Sequence, residues 1–521
     1  MSLRRRALLA GAAVVPLAGC GTRAVEGGFV AGHPERGHLL RDGVAPGGPP
    51  VARRAQVVVA GAGVAGLAAA RALRARGIED LVVLDLEDEA GGNSRAGVLG
   101  GLACPWGAHY LPLPGDDARE VQDLLEEVGL RRRVAGRWRY DERHLCHSPQ
   151  ERLFSGGAWH EGLLPVHDAD PATLAQYRRF AAAVRSAARA ARYTLPAGEP
   201  QPAQLALDAE PFARWLDREG FTAPDLRWYL DYCCRDDYGA GTAVVSAWAG
   251  LHYFASRHGF QAPGEEGERD AVLTWPEGNA WLARRLAAPL GERLRTGRVV
   301  LRVAEGRHGV EVDALDLASG ALERWQAAHA VLALPAAVAA RLLAAAPGPL
   351  RAAGAATRSA PWVVVNLQLD APLADRPGAA PAWDNVLQDG AGLGYVDATH
   401  QRLDPRPGPT VLTWYHAPGE AARGELLQRP WSHWRDLALA DLAPVHPDLP
   451  RRLQRVAVAR YGHAMAIPVP GARARLAGLP LRGPRVSLAH ADWAGYSVFE
   501  EAFTLGHRAG EHAARARARA A

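Results

Sequence analysis

The sequence contains no lysine, so all 60 of its basic residues are arginines. A catalytic or Schiff-base lysine is therefore excluded at every position. Cysteine is scarce, with five in 521 residues, at positions 20, 104, 146, 233 and 234. None stands at a CxxC spacing, which argues against a zinc centre or a thioredoxin-like motif, and no metal site is expected. The four beyond Cys20 read as inert thiols, with a disulfide involving Cys104 or Cys146 as the alternative. No apolar run reaches the length of a permanent membrane span, and no internal repeat is evident. Acids and bases are interspersed at a net charge of +4, so no nucleic-acid partner is expected.

What is present is ordinary for a globular protein: 48% apolar and 22% charged residues, in a chain long enough for two or three units. The first twenty residues stand apart. Arg4-Arg5-Arg6 is basic, Ala7 to Leu17 is apolar, and Leu17-Ala18-Gly19-Cys20 closes the segment. That order is an export signal. Its ending resembles a bacterial lipoprotein box, which implies lipidation of Cys20, attachment to a membrane, and a location facing the periplasm or cell surface. The paired arginines resemble a twin-arginine signal. A plain secretory signal with an incidental cysteine is the alternative. Residues 21–50, rich in Gly, Pro and Arg, read as a flexible tether.

The most informative stretch is Val57 to Leu67, VVVAGAGVAGL. A short β-branched run suits a strand buried on both faces. Gly61-x-Gly63-x-x-Gly66 comes directly after it, and then a helical pattern that stops at Gly77. A second strand, Leu81 to Leu84, ends at Asp85. This strand–turn–helix–strand setting marks a dinucleotide fold. Gly61 permits the tight turn, Gly63 lets the backbone approach a pyrophosphate, and Gly66 allows close helix–strand packing. The helix N-terminus offers free N–H groups to the diphosphate, and Asp85 can accept from a ribose hydroxyl. A glycine-rich turn with no ligand is the alternative.

The segment from Asp85 to Arg95 resembles the flavin-containing amine oxidase and phytoene desaturase superfamily. Gly91-Gly92 and the basic Arg95 occupy the places of that family's glycine pair and phosphate contact. Leu294 to Val303 resembles the strand along the adenine, with Val300 at the contact position. Ala330 to Pro335 resembles the strand that re-enters the nucleotide unit. Val486 to Trp493, with Tyr496, Glu501, Ala502 and Gly506 after it, resembles the last flavin motif. The resemblance implies FAD, with Asp492 near the ribityl chain or pyrophosphate, Ala502 in a helix aimed at the flavin pyrimidine, and Tyr496 flanking the ring. No second GxGxxG succeeds a strand, so electrons are expected from the substrate rather than from NAD(P)H. No cysteine lies beyond Cys234, so the FAD is expected to be non-covalent.

The implied fold is α/β, a Rossmann-like FAD-binding domain with an inserted α+β substrate domain. Its FAD-binding part would comprise 51–112, 270–345 and 470–515, and its substrate part 113–269 and 346–469. Helices are expected over Ala118 to Leu130 and Pro171 to Tyr193, and strands over Trp362 to Leu369 and Thr410 to Tyr415. The densest polar–aromatic segment, Trp228 to Phe254, carries Asp231, Asp236 and Asp237 among tyrosines and tryptophans. It reads either as a trap for a cationic amine or as a helix pair with a core of aromatics. His463, Tyr496 and Asp237 are the candidate catalytic residues. The expected reaction is oxidation of a small substrate, an amine or polyamine, by hydride transfer to flavin. The alternatives are a desaturase or isomerase of an apolar substrate, or a non-catalytic flavoprotein. Many amine oxidases hold a water against flavin N5 with a lysine that this chain lacks, which leaves oxygen or a respiratory acceptor open as the electron acceptor.

Overall fold

The computed structural model describes residues 25–43, 48–265, 271–404 and 407–518. Residues 1–20, read as an export signal with a lipidated Cys20, lie outside them. Among the described residues, no helix is long and apolar enough to cross a membrane.

A five-stranded parallel sheet forms around Val57–Ala60, in the order Leu294–Arg295, Leu81–Leu84, Val57–Ala60, His329–Leu332, Val486–Leu488. All four residues of the central strand are buried, because both of its faces are covered. Val57 and Val59 face the helices Val64–Ala75, Arg119–Glu127 and Phe499–Ala518. Val58 and Ala60 face an antiparallel meander, Arg298–Glu305, Val310–Asp316 and Leu322–Ala327. The period-2 alternation of a strand explains why an unbroken apolar run was needed here.

The second unit is built on an eight-stranded mixed sheet. Its order is Glu26–Phe29, Leu453–Ala466, Ser359–Leu369, Thr410–His416, Tyr395–Asp397, Asp384–Leu387, Glu151–Ser155, Ala158–Glu161. Along Ser359–Leu369, Val363, Val365 and Leu367 pack towards Trp434, Ala438 and Leu442. Trp362 and Val364 pack the other way, into a core shared with the helices Pro171–Ala190, Phe212–Arg218, Pro224–Tyr238 and Ala247–Ala255. The two helices and two strands expected from the sequence are thus present, with ends shifted by a few residues.

Two boundaries differ from the sequence reading. Residues 26–42 are not a loose tether. Glu26–Phe29 pairs in parallel with the strand Leu453–Ala466, Pro34–Asp42 is a helix, and Val51–Arg54 extends the meander. The backbone of an edge strand offers unpaired N–H and C=O groups, and this segment satisfies one such edge. Helix Arg119–Glu127, placed by sequence in the substrate part, packs through Val121, Leu124 and Leu125 against the parallel sheet. The described cysteines 104, 146, 233 and 234 are all free thiols.

The C-terminal helix meets the glycine-turn helix backbone to backbone. A Cβ on Gly506 would collide with the carbonyl of Ala65. One on Gly510 would collide with that of Ala69 and lie 3.0 Å from the Ala72 Cβ. Gly506→Ala is therefore expected to destabilise the protein by about 1–3 kcal/mol through overpacking, read as a lower melting temperature. Gly37→Ala, on a helix with nothing within 4 Å, is expected to leave that temperature unchanged or raise it.

Candidate active site

The three glycines of the turn answer to different demands. Gly61 has φ +98°, and a Cβ there would strike the Ala333 carbonyl. A Cβ on Gly66 would strike the carbonyl of Gly61. Protein packing alone requires both. Gly63 is different: its Cβ would meet only the Cα of Gly92, at 3.8 Å. It is the N-cap of Val64–Ala75, yet no side chain caps that helix. Gly63 also bridges to Gly91, whose N–H donates to the Ala62 carbonyl at 2.8 Å. The free N–H groups of the helix thus face a wall of glycine backbone, an opening whose shape and polarity fit a diphosphate.

Asp85 ends the second strand and closes the turn. Its Oδ2 accepts from Ala62 N–H at 2.6 Å and its Oδ1 from Glu87 N–H at 2.8 Å. Burial pushes this carboxyl up, and those two donors pull against it. Each oxygen keeps a second lone pair for a ribose hydroxyl. Arg95 stands otherwise than its expected role as a phosphate contact. Its Nε donates to the Gly92 carbonyl at 2.9 Å and its Nη1 pairs with Glu87 at 3.1 Å. The guanidinium is held by these partners and pins the glycine pair. Glu87, not singled out by sequence, also accepts from His33 N–H and lies 2.7 Å from His33 Nδ1. Burial alone would raise its carboxyl, but Arg95 and His33 hold it below the usual range.

At the other end of the sheet, Asp492 accepts from Ala336 N–H at 2.9 Å and lies 3.2 Å from His490 Nδ1. Burial opposes its charge, and His490 outweighs that and keeps it low. Val300 is buried between the meander and the parallel sheet, and Ala502 is half-buried in the first turns of the C-terminal helix.

Two half-buried carboxylates, Asp236 and Asp384, stand near the rings of Tyr110, Tyr232 and Tyr415. Both keep some accessible surface yet are largely enclosed by protein. Burial, with Asp237 beside it, pushes Asp236 up to about 7. Burial also pushes Asp384 well above the usual carboxylate range, with Asp236 and Glu151 adding repulsion and the Asn385 N–H pulling against it. Among the described residues, no ion-pair partner holds either one. Tyr110, Trp383 and His109 form an aromatic group, and His109 stacks on Tyr415 with centroids 4.4 Å apart. Burial drives His109 down to about 3, so its imidazole stays neutral. Tyr415 donates to the Gly107 carbonyl at 3.1 Å, and Gly107 lies against the Asn93 carbonyl of the glycine-pair loop. That chain of contacts joins the rings beside the carboxylates to the nucleotide site.

The candidate catalytic residues are not brought together. Tyr496 is completely buried, donating to Glu501 at 2.5 Å with His252 Nε2 at 3.1 Å. A side chain with no accessible surface cannot flank a ring, so its expected role fails on burial. Asp237 is neutralised by Arg257 at 3.2 Å, which leaves no free base there. His463 is exposed, 3.3 Å from Ser359 Oγ, and its charged neighbours are Arg423, Asp492 and Glu420. Within Trp228 to Phe254, Tyr238 and Trp248 are core, as the helix-pair reading has it, whereas Asp236 is only half-buried.

A family model described as flavin containing amine oxidoreductase matches residues 64–514. The chain belongs to that family. It is an FAD-dependent oxidoreductase. No curated protein matches it. Among solved structures it resembles putrescine oxidase bound to putrescine, at 16% identity and a TM-score of 0.69, over 88% of this chain and 99% of that one. Cyclohexylamine oxidase from Brevibacterium oxydans aligns at 18% identity and 0.65, over 88% and 99%. A fatty acid isomerase from P. acnes aligns at 17% and 0.60, over 87% and 97%. At such identities these likenesses speak for the fold, a two-domain amine-oxidase-like α/β architecture.

Gly63, Gly91 and Gly92 would then hold the FAD diphosphate and Asp85 its ribose. A Gly63→Ala substitution should leave the fold intact, because its methyl meets little protein, but weaken FAD binding by about tenfold or more, since overpacking against the ligand costs about 1–3 kcal/mol. Flavin content of the purified protein and FAD titration of the apoprotein read this. Equal affinity in the variant would show that the opening serves something else.

Proposed function

We propose that the protein oxidises a cationic amine, a polyamine included, at a site lined by Asp236 and Asp384. The carrying observation is two half-buried carboxylates with no ion-pair partner among the described residues, set near aromatic rings. Asp237 raises the one and Asp236 the other, and an ammonium group between them would lower both. Tyr110, Tyr232, Trp383 and Tyr415 supply the apolar walls that exclude water and offer ring faces to a cation. An enclosure for an apolar substrate would need neither carboxylate, so the desaturase or isomerase reading is less well supported. Bound FAD supplies the acceptor for the hydride that leaves the substrate carbon. In the complex Asp236 carries its charge, and its carboxylate oxygen is the acceptor at hand for the ammonium proton when the reactive free amine forms. Neutral His109 adds no positive charge that would repel the substrate. The FAD is held without a covalent link in this reading, and its electrons pass on to oxygen or a respiratory acceptor.

The pH dependence takes its sign from Asp236. Its folded value, about 7, lies above that of an unfolded aspartate, so the unliganded protein loses stability as pH rises through about 7. Affinity for a cationic amine rises over the same range, because the carboxylate becomes charged. Hence kcat/KM for a diamine should climb through about pH 7, and Asp236→Asn should flatten that limb and lower kcat/KM by about 30-fold or more. Anaerobic titration with spermidine, putrescine and monoamines is the direct test. If no amine bleaches the flavin, the amine reading is wrong.

Export and lipid attachment at Cys20 belong to the same proposal, on the order of the basic, apolar and small residues before it. Labelled fatty acid should be incorporated into the protein in its native host and lost in Cys20→Ser. Label retained in that variant would place the modification elsewhere.

A further inference from the structure

Residues Arg131–Val134 and Arg137–Tyr140 form a two-stranded antiparallel hairpin that joins no other sheet among the described residues. Its turn, Ala135-Gly136, has φ +48° and +79°, the left-handed pair that suits the twist of a tight hairpin. Residues 132–139 are all exposed, including two apolar side chains near the tip, Val134 at 45% and Trp138 at 43%. The register sets Arg132 opposite Arg139, Arg133 opposite Trp138 and Val134 opposite Arg137. Side-chain alternation then puts Arg132, Val134, Arg137 and Arg139 on one face, and Arg131, Arg133, Trp138 and Tyr140 on the other.

This arrangement is unfavourable for a hairpin in water alone. An isolated two-stranded hairpin is marginal, and like charges directly opposite one another destabilise it further. The acids at its base do not offset this, since Glu126 pairs with Arg131 and Asp141 with Arg143. Among the described residues, Arg132, Arg133, Arg137 and Arg139 have no ion-pair partner. The Trp138 ring is held up by the Arg131 guanidinium, 3.9 Å from its centroid. The four charges therefore lack a counter-surface of opposite sign, and the tip between them carries an aliphatic and an indole group.

We propose that this hairpin docks the protein onto an anionic lipid surface. Guanidinium groups pair with lipid phosphates, and the indole and valine enter the interface, where an amphipathic ring is favoured. A nucleic acid is less well matched. From 131 to 140 there is no Asn, Gln, Ser or Thr to read a base edge, and the net charge of the whole chain is only +4. Docking by the hairpin is separate from the amine chemistry and from attachment at Cys20, although one lipid chain plus a basic patch makes a firmer anchor than either.

The test uses the chain from residue 21, which keeps every described residue and removes the apolar Ala7 to Leu17 segment, reconstituted with FAD. Co-sedimentation with phosphatidylglycerol vesicles should occur at low salt, fade as salt is raised, and be absent with phosphatidylcholine. Changing Arg132, Arg133, Arg137 and Arg139 to Gln together should lower partitioning by several hundred-fold, since each surface arginine contributes about fivefold. Trp138→Ala should weaken it at every salt concentration. Unchanged melting temperature and flavin content in these variants keep the reading specific to the surface. No binding of the unsubstituted chain to phosphatidylglycerol, or binding that survives the fourfold change, overturns the proposal. So does tighter binding to DNA oligonucleotides than to vesicles.

Discussion

The close approach of two helices at Gly506 and Gly510 is the contact on which the rest of the site depends. It lets the C-terminal helix lie against the carbonyls of Ala65 and Ala69, directly behind the glycine turn. Because the two helices share one apolar cluster with Val57 and Val59, segments more than four hundred residues apart are fixed to the same sheet. Any side chain at either glycine would push the last helix outward. Asp492, which precedes that helix, and the turn at Gly63 would then lose their common frame. Close packing transmits such a shift because the interior has no slack.

The second unit depends on a different constraint, the treatment of charge in a low-dielectric space. Asp237 and Arg257 neutralise each other, and Asp85 is held by backbone donors. Among the described residues, Asp236 and Asp384 have no ion-pair partner, and Asp384 is met only by the backbone N–H of Asn385. A natural chain can keep unpaired buried carboxylates by leaving them neutral until a ligand arrives. They are therefore the part of the site with the most to gain from a cationic guest. The aromatic rings around them do not change this. They set the shape and exclude water, and much of the aromatic segment from Trp228 to Phe254 is simply core.

How much of this was legible in the sequence depends on how local each feature is. The glycine turn, its strand and its helix are set within one run of residues, so VVVAGAGVAGL specified both the fold and the ligand class. The strands Ser359–Leu369 and Thr410–His416 were legible through their composition for the same reason. Asp384 was not, because its meaning comes from Asp236, 148 positions away in the sequence, and no local pattern records that pairing. Tyr496 shows the reverse error. The motif around it has the family's order, but the position of a side chain relative to a cavity is a packing property, and packing turned this one inward. Arg95 carried the right charge near the right glycines, while its partner Glu87 and His33, just before helix Pro34–Asp42, decide what that charge does. Residues 21–50 read as a tether because Gly, Pro and Arg dominate their composition. The sheet edge that captures Glu26–Phe29 lies beyond residue 450 and could not be seen from that segment.

The absence of lysine also governs how the site responds to pH. A buried lysine can lose its proton near neutrality, whereas a guanidinium stays charged in any protein environment. Every cation near the site that is an arginine, Arg257 and Arg235 among them, is thus a fixed charge. The buried imidazoles are fixed as well, but in the neutral form: His109 is driven down to about 3 and His252 well below its ordinary value by burial. The groups left to titrate near neutrality are carboxylates, Asp236 in the proposed site and Glu500 at the start of the C-terminal helix, each raised to about 7 by burial. As pH rises the interior can only gain negative charge.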